Sequence, residues 1–165
     1  MTNQELFMLA QGLANNLTHL KALKGAKFTY GITKNMDLIQ KEMDLINDII
    51  KPSDELKEYD DIRVKLCEKF AKKDENGEYI KIESIPGSGQ FEYDIDQESE
   101  EWKTAIEKIK TEHKTILDER DEQIKEYNNL LYSDINIEFH KIKLDDVPTD
   151  ISLELMQIIK PFIEE

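Results

Sequence analysis

The sequence predicts a mainly α protein of α+β type, in which an antiparallel helical bundle with one long helix carries a small antiparallel β-sheet. Apolar residues recur at steps of three and four through the first 72 residues, and a heptad-like apolar stripe runs from about Gln97 to Tyr132. Between these segments, apolar and acidic residues alternate from Phe91 to Asp96, as in a half-buried strand. With 165 residues and 39% hydrophobic content, the chain is expected to form a single domain, residues 1–165.

The first three elements are helices with predicted bounds of about 3–24, 26–51 and 54–72. Thr2 and Glu5 have the spacing of a capping box, which predicts the start of the first helix, and Gly25 ends it. Pro52 closes the second helix, and Ser53 caps the third. Because the first connection is short, we expect the first two helices to form an antiparallel hairpin. The apolar stripe of the first helix consists of Leu6, Leu9, Ala10, Leu13, Leu17 and Leu20.

A β-hairpin is predicted at about residues 78–95. The turn residues from Asp74 to Gly77 interrupt the helical period, and the segment from Pro86 to Gly89 supplies the turn between two strands. In the second strand, we expect Phe91, Tyr93 and Ile95 to lie on the buried face. A third strand at about residues 135–144, with a bulge near His140 or Lys141, would complete a three-stranded sheet.

The long helix is predicted at about residues 97–132. Its apolar stripe is expected to bury Ile109, Ile116 and Ile124 in the bundle, with His113 hydrogen-bonded inside the same seam. A short helix at about residues 153–159 follows, and Pro161 limits it.

The charge of the chain limits the classes of partner that it can bind. The net charge is −14, and residues 52–165 hold 16 basic and 31 acidic side chains. An anionic surface repels phosphates, so we expect no direct binding to nucleic acid and favour a protein partner, which the charge suggests is basic. No apolar run is long enough to span a bilayer, and the first residues lack the pattern of a signal peptide. The single cysteine, Cys67, lies on an apolar helix face and is expected to be a buried thiol.

An acidic tract from Glu92 to Glu101 is the candidate partner-binding surface. On an extended strand, alternate residues lie about 6.7 Å apart, so its first acids would form an anionic ladder similar in spacing to a phosphate backbone. The alternative, which we favour, is that the acids solvate a strand and complement the dipole at the start of the long helix. The candidate residues are Glu92, Asp94, Asp96, Glu98, Glu100 and Glu101.

No motif for catalysis or for binding a metal or cofactor is found in the sequence. The tract from Asp94 matches the first ligands of a calcium loop, but Ser99 stands where glycine is required and Ala105 where the bidentate acid is required. The three histidines are scattered, and Gly87–Gly89 lacks the lysine and hydroxyl residue of a phosphate-binding loop. We therefore predict a protein that is not an enzyme and has no cofactor.

The helical hairpin, the turn from Lys73 to Glu78 and the closing stretch from Glu138 to Ile151 together resemble small proteins of tailed bacteriophages whose function is unknown. That group shows helices, a turn of the Asp-Glu-Asn-Gly kind, a further helix and a strand leading to an Asp-x-Pro-x-Asp-Ile segment. The resemblance implies a viral origin, a location in the host cytoplasm or the virion, and a role as a virion component or assembly factor. The sequence leaves two questions open: whether the chain forms homo-oligomers, and whether it instead inhibits a host nucleic-acid-binding enzyme by phosphate mimicry.

Overall fold

The structure, a computed structural model, describes residues 1–164. The helices are α1 (Asn3–Asn15), α2 (Leu17–Ala22), α3 (Ala26–Ile49), α4 (Asp54–Phe70), α5 (Glu100–Glu112), α6 (Lys114–Leu131) and α7 (Leu153–Ile159). The strands are β1 (Lys81–Glu83), β2 (Phe91–Tyr93), β3 (Ile142–Lys143) and β4 (Ile163–Glu164), and short 3-10 helices lie at Leu144–Asp146 and Lys160–Phe162.

The mainly α class with a small antiparallel sheet is confirmed, since 63% of the structure is helical and β1 pairs with β2 in antiparallel register. The chain packs into two compact units. The first comprises Met1–Lys51 and Gln123–Glu165, and the second comprises Pro52–Glu122. By sequence, the second unit holds 12 basic and 22 acidic side chains, so most of the acidity lies there. That the whole chain is one domain stays a prediction.

The core of the first unit forms where α1, α3, α7 and the closing segments meet. Gly31 of α3 lies directly against β3, because a Cβ atom added to it would be 2.6 Å from the Cγ1 of Ile142. Only a residue without a side chain permits this close approach. The fully or nearly buried apolar residues of this core are Leu6, Leu13, Leu20, Phe28, Ile32, Ile39, Ile142, Leu155, Ile159 and Phe162.

The predicted third strand at residues 135–144 is wrong. Only Ile142 and Lys143 form a strand there, and they pair in parallel with β4, not with the hairpin. The preceding segment packs half-buried side chains against the core of the first unit, and the completely buried Asn35 holds its backbone. The Asn35 amide donates to the His140 carbonyl at 2.9 Å and accepts from the His140 N–H at 2.7 Å. A side chain therefore satisfies the backbone groups that a neighbouring strand would have paired.

Two predicted helices are each divided in the structure. The helix predicted at 3–24 breaks at Asn16, and the long helix predicted at 97–132 is instead α5 and α6, separated at His113. Both breaking residues return a side-chain hydrogen bond to the carbonyl four residues earlier: Asn16 Nδ2 to Gly12 at 3.0 Å, and His113 Nδ1 to Ile109 at 2.8 Å. Such bonds compete with the backbone ladder and bend or end a helix.

The second unit has a smaller core, in which α4 packs against α5. Ile109 is buried there beside Leu56 and Tyr59, as predicted, and Ile116 is half-buried at its edge. The prediction for Ile124 is wrong, because 36% of that residue is exposed to solvent.

Candidate protein-interaction surface

Asp94, predicted as part of the acidic ladder, ties three extended segments of the second unit together. Three backbone hydrogen bonds form a closed cycle: Lys72 N–H to Asp94 O at 2.8 Å, Asp94 N–H to Ile80 O at 2.9 Å, and Ile80 N–H to Lys72 O at 2.9 Å. The Asp94 carboxylate also accepts from Lys72 Nζ at 2.8 Å, and this bond raises the pKa of Lys72. Asp94 is therefore engaged within the fold.

The acids that follow are engaged around the start of α5. The Asp96 carboxylate accepts from the Glu98 N–H at 3.1 Å, which closes a local turn. Lys103 lies 2.9 Å from the Glu98 carboxylate and 3.7 Å from that of Glu100. Glu100 and Glu101 occupy the first turn of α5, where negative charge complements the helix dipole.

The structure does not bring the six acids together as an evenly spaced ladder. Strand β2 ends at Tyr93, so Glu92 is the only one of the six within a strand, where it is exposed opposite Ile82. Beyond the strand, the carboxylates of Asp94 and Asp96 point to partners of their own. Four of the six acids thus have a local partner, although Asp96, Glu98 and Glu100 are exposed to solvent like Glu92 and Glu101.

The turn of the hairpin is fastened by Glu83. Its two carboxylate oxygens accept from the backbone N–H groups of Gly87 at 2.9 Å and Gly89 at 2.7 Å, and these bonds lower the pKa of Glu83. Both glycines have positive φ angles, +80° and +70°, which favour glycine at these positions. The hairpin therefore has a defined turn.

The base of the hairpin is anchored to α4 through aromatic residues. Tyr93 donates from its hydroxyl to the Glu68 carboxylate at 3.1 Å, and this bond raises the pKa of Tyr93. The Tyr93 ring meets the Tyr79 ring edge to face at 5.4 Å, and Lys81 Nζ lies 5.4 Å from the centre of the Tyr93 ring. These contacts fix where the hairpin leaves the helices.

The far end of the hairpin carries exposed apolar side chains. Ile82 is 50% exposed, Ile85 62% and Phe91 64%, and we call these three residues the hairpin apolar surface. The prediction that Phe91 is buried is wrong. Because partners in the register share a face, Ile82 and Phe91 lie on opposite faces of the hairpin, with Ile85 in the turn. The sequence does offer one signal for this exposure. Phe91 stands close to the hairpin turn, at the end of the hairpin opposite to the one that contacts α4.

His113 and Cys67, whose side chains could in principle take part in catalysis, both pack against other residues of the second unit. The ring of His113 lies 5.3 Å from that of Tyr59, in addition to its bond to Ile109. Cys67 is half-buried rather than fully buried, and burial raises the pKa of its thiol. A thiol with a raised pKa is a poor nucleophile at neutral pH.

Basic side chains are concentrated beside a shallow cavity of about 500 Å³ in the first unit. Lys27 pairs with Asp146 at 3.1 Å, and Lys141 donates to the Pro161 carbonyl at 3.0 Å. Lys143 and Glu164 also line the cavity, so the lysines face two acids. This arrangement provides no continuous cationic track for a phosphate backbone.

Within residues 1–164, no three or more His, Cys, Asp or Glu side chains are grouped so as to hold a metal ion. None of the helices in the same range has the length and apolar character needed to cross a membrane. Comparisons with protein-family models, with curated proteins and with solved structures found no match to this chain.

Proposed function

We propose that this chain acts through protein–protein interaction, without catalysing a reaction, as a packaged or structural component or an assembly factor of a tailed-bacteriophage particle. The observation that carries the interaction is the hairpin apolar surface, Ile82, Ile85 and Phe91. The three side chains lie on the two faces and in the turn of one short hairpin, and this concentration of large exposed apolar groups at one end of an element favours a contact site. The phage setting is supported by the sequence resemblance alone.

The shape of the hairpin suggests how it would bind. Apolar side chains on both faces and in the turn suit insertion into a groove of a partner, where all three become buried. The Glu83 bonds to the turn reduce the conformational freedom that binding would otherwise remove. In this proposal the helices form an antiparallel bundle that serves as the scaffold.

The test uses a triple variant, Ile82→Ser, Ile85→Ser and Phe91→Ser. Bait protein is incubated with an extract of infected host cells, and captured proteins are quantified by mass spectrometry. We expect the triple variant to lose the proteins that the wild type captures, with an unchanged circular dichroism spectrum. A matched control replaces Leu45, Leu144 and Leu153, which are exposed apolar residues of the first unit, by serine. Equal capture by the triple variant and the wild type would contradict the proposal.

A second candidate is an acidic inhibitor of a nucleic-acid-binding enzyme of the host, acting by phosphate mimicry. It is favoured by the excess of acids in the second unit and by the exposed carboxylates of Glu92 and Glu101. The dependence of partner binding on salt concentration distinguishes the two candidate functions. A contact made through charge weakens steeply as salt rises, whereas an apolar contact does not.

A further inference from the structure

The turn that precedes the hairpin contains an asparagine followed by a glycine, Asn76 and Gly77. Asparagine is a chemically labile residue, because the backbone nitrogen of the residue that follows can attack its side-chain amide. A side chain on the following residue hinders this attack, and glycine has none. Among the asparagines of the chain, Asn76 alone precedes a glycine.

The surroundings of Asn76 also differ from those of the other asparagines. Asn76 and Gly77 are both exposed, and a Cβ atom placed on Gly77 would meet no atom within 4 Å. Most of the other asparagines lie in helices, whose regular backbone angles keep the following nitrogen away from the side-chain amide. Asn136 is exposed and lies outside the helices, but a β-branched residue, Ile137, follows it.

Asp74 holds this turn closed. Its carbonyl accepts from the Gly77 N–H at 3.0 Å, and its carboxylate accepts from the N–H groups of Asn76 at 2.8 Å and Glu78 at 2.9 Å. The bonds from Glu78 and Asn76 lower the pKa of Asp74, so its carboxylate is ionised at neutral pH. Because the attacking atom is the Gly77 nitrogen, its bond to Asp74 must open before the reaction can occur.

We infer that Asn76 is a site of spontaneous deamidation, and that opening of the turn held by Asp74 sets the rate. The Gly77 nitrogen loses its proton to hydroxide and forms a bond to the Cγ of Asn76. The bond from this Cγ to Nδ2 then breaks, and the nitrogen leaves as ammonia. One water molecule opens the cyclic imide that results. Opening at Cγ gives aspartate, whereas opening at the main-chain carbonyl carbon gives isoaspartate, in which the main chain runs through the side-chain carbons.

Both products change the chain next to the base of the hairpin. Each adds one negative charge to a chain whose net charge is −14. Isoaspartate also adds a methylene to the main chain, within the turn closed by the bond from the Asp74 N–H to the Glu78 carbonyl at 2.9 Å. The next residue, Tyr79, contacts the ring of Tyr93 at the base of the hairpin. The reaction requires neither the hairpin apolar surface nor the acidic tract, so the inference goes beyond the proposed function.

The first test incubates the folded chain at neutral pH in water enriched in heavy oxygen, which marks every hydrolysis that occurs during the incubation. Peptide mapping by mass spectrometry measures deamidation at each asparagine, and chromatography separates aspartate from isoaspartate. Asn76 should deamidate faster than Asn136 and faster than the asparagines in helices. Asn76→Gln should remove the reaction at this position, because the longer side chain must form a larger ring. Equal rates at Asn76 and Asn136 would overturn the inference.

A pair of alanine variants, each checked for folding by circular dichroism, tests the role of Asp74. Asp74→Ala removes two hydrogen bonds that favour the closed turn, so deamidation of Asn76 should accelerate about tenfold. Glu75→Ala is the matched control, because it removes a negative charge from the neighbouring exposed position and leaves both bonds in place. It should change the rate by less than about twofold. Equal effects of the two variants would contradict the role given to the turn, since the loss of charge is common to both.

Discussion

Asn35 offers the sharpest test of how the first unit is held together, and we predict that Asn35→Ala destabilises the protein strongly. The side chain is fully buried, and it makes one bond to the N–H and one to the carbonyl of His140. Removing it leaves two backbone groups without their partner in the interior.

The expected cost follows from these contacts. A buried donor or acceptor left unsatisfied costs about 1–3 kcal/mol, and two such groups are created. We therefore expect the free energy of unfolding to fall by about 2–5 kcal/mol, allowing for partial relaxation of the segment. Asn35→Asp should also destabilise at neutral pH, because it buries a carboxylate and points an oxygen at the His140 carbonyl.

The measurement is urea unfolding followed by circular dichroism at 222 nm, a wavelength at which helix content is read. The midpoint should fall with little change in the dependence on urea, since the folded and unfolded states keep their compactness. Asn136→Ala, an exposed position in the same segment, is the control and should change stability by less than about 0.5 kcal/mol. A loss at Asn35→Ala as small as that of the control would refute the reasoning.

Three further predictions concern packing and pH. Ile109→Ala should cost about 2–5 kcal/mol of stability, whereas Ile124→Ala, at an exposed position, should cost less than about 1 kcal/mol; urea unfolding measures both. Gly31→Ala should destabilise by about 1–3 kcal/mol because its Cβ would stand 2.6 Å from a side-chain carbon of β3, whereas Gly12→Ala, with its nearest neighbour at 3.5 Å, should be tolerated in thermal unfolding. The lowered pKa of Glu83 means that its contribution to stability is present above its unfolded pKa, about 4.3, and is lost as pH falls through the folded value. Urea midpoints measured across this range should depend less on pH in Glu83→Gln, and an unchanged pH dependence would contradict the assignment.

The sequence correctly predicted those helices and strands whose ends are determined by capping or turn residues close to them in the chain. The short helix was predicted at 153–159 and is observed at Leu153–Ile159, because the Ser152 hydroxyl accepts from the Leu155 N–H and Pro161 limits the helix. The hairpin was likewise predicted from its turn residues, and β1 and β2 both lie within the predicted bounds.

Other features depend on partners far along the chain. The alternation of Ile135, Ile137 and Phe139 fits a strand and equally fits an extended segment packed on helices; Asn35, 105 residues away from His140, decides between them. The breaks at Asn16 and His113 coincide with side-chain hydrogen bonds that helical periodicity does not reveal.

At the candidate site too, local features could be read from the sequence, whereas contacts between residues distant in the chain could not. The sequence displays every carboxylate of the acidic tract, but not the partners Lys72 and Lys103 that engage Asp94, Glu98 and Glu100. The alternating pattern also does not show that Phe91, near the turn of the hairpin, is 64% exposed. The surface favoured by the structure therefore differs from the one favoured by charge.

The most direct test of the central claim compares two variants in the same capture experiment. One carries serine at Ile82, Ile85 and Phe91, and the other replaces Glu92, Asp94, Asp96 and Glu98 by Gln or Asn. We predict that both variants remain folded by circular dichroism. The serine variant should lose the partner captured by the wild type, and the variant with the four acids replaced should retain it. The opposite result, in which the variant with the four acids replaced loses the partner and the serine variant retains it, would contradict the account and favour phosphate mimicry.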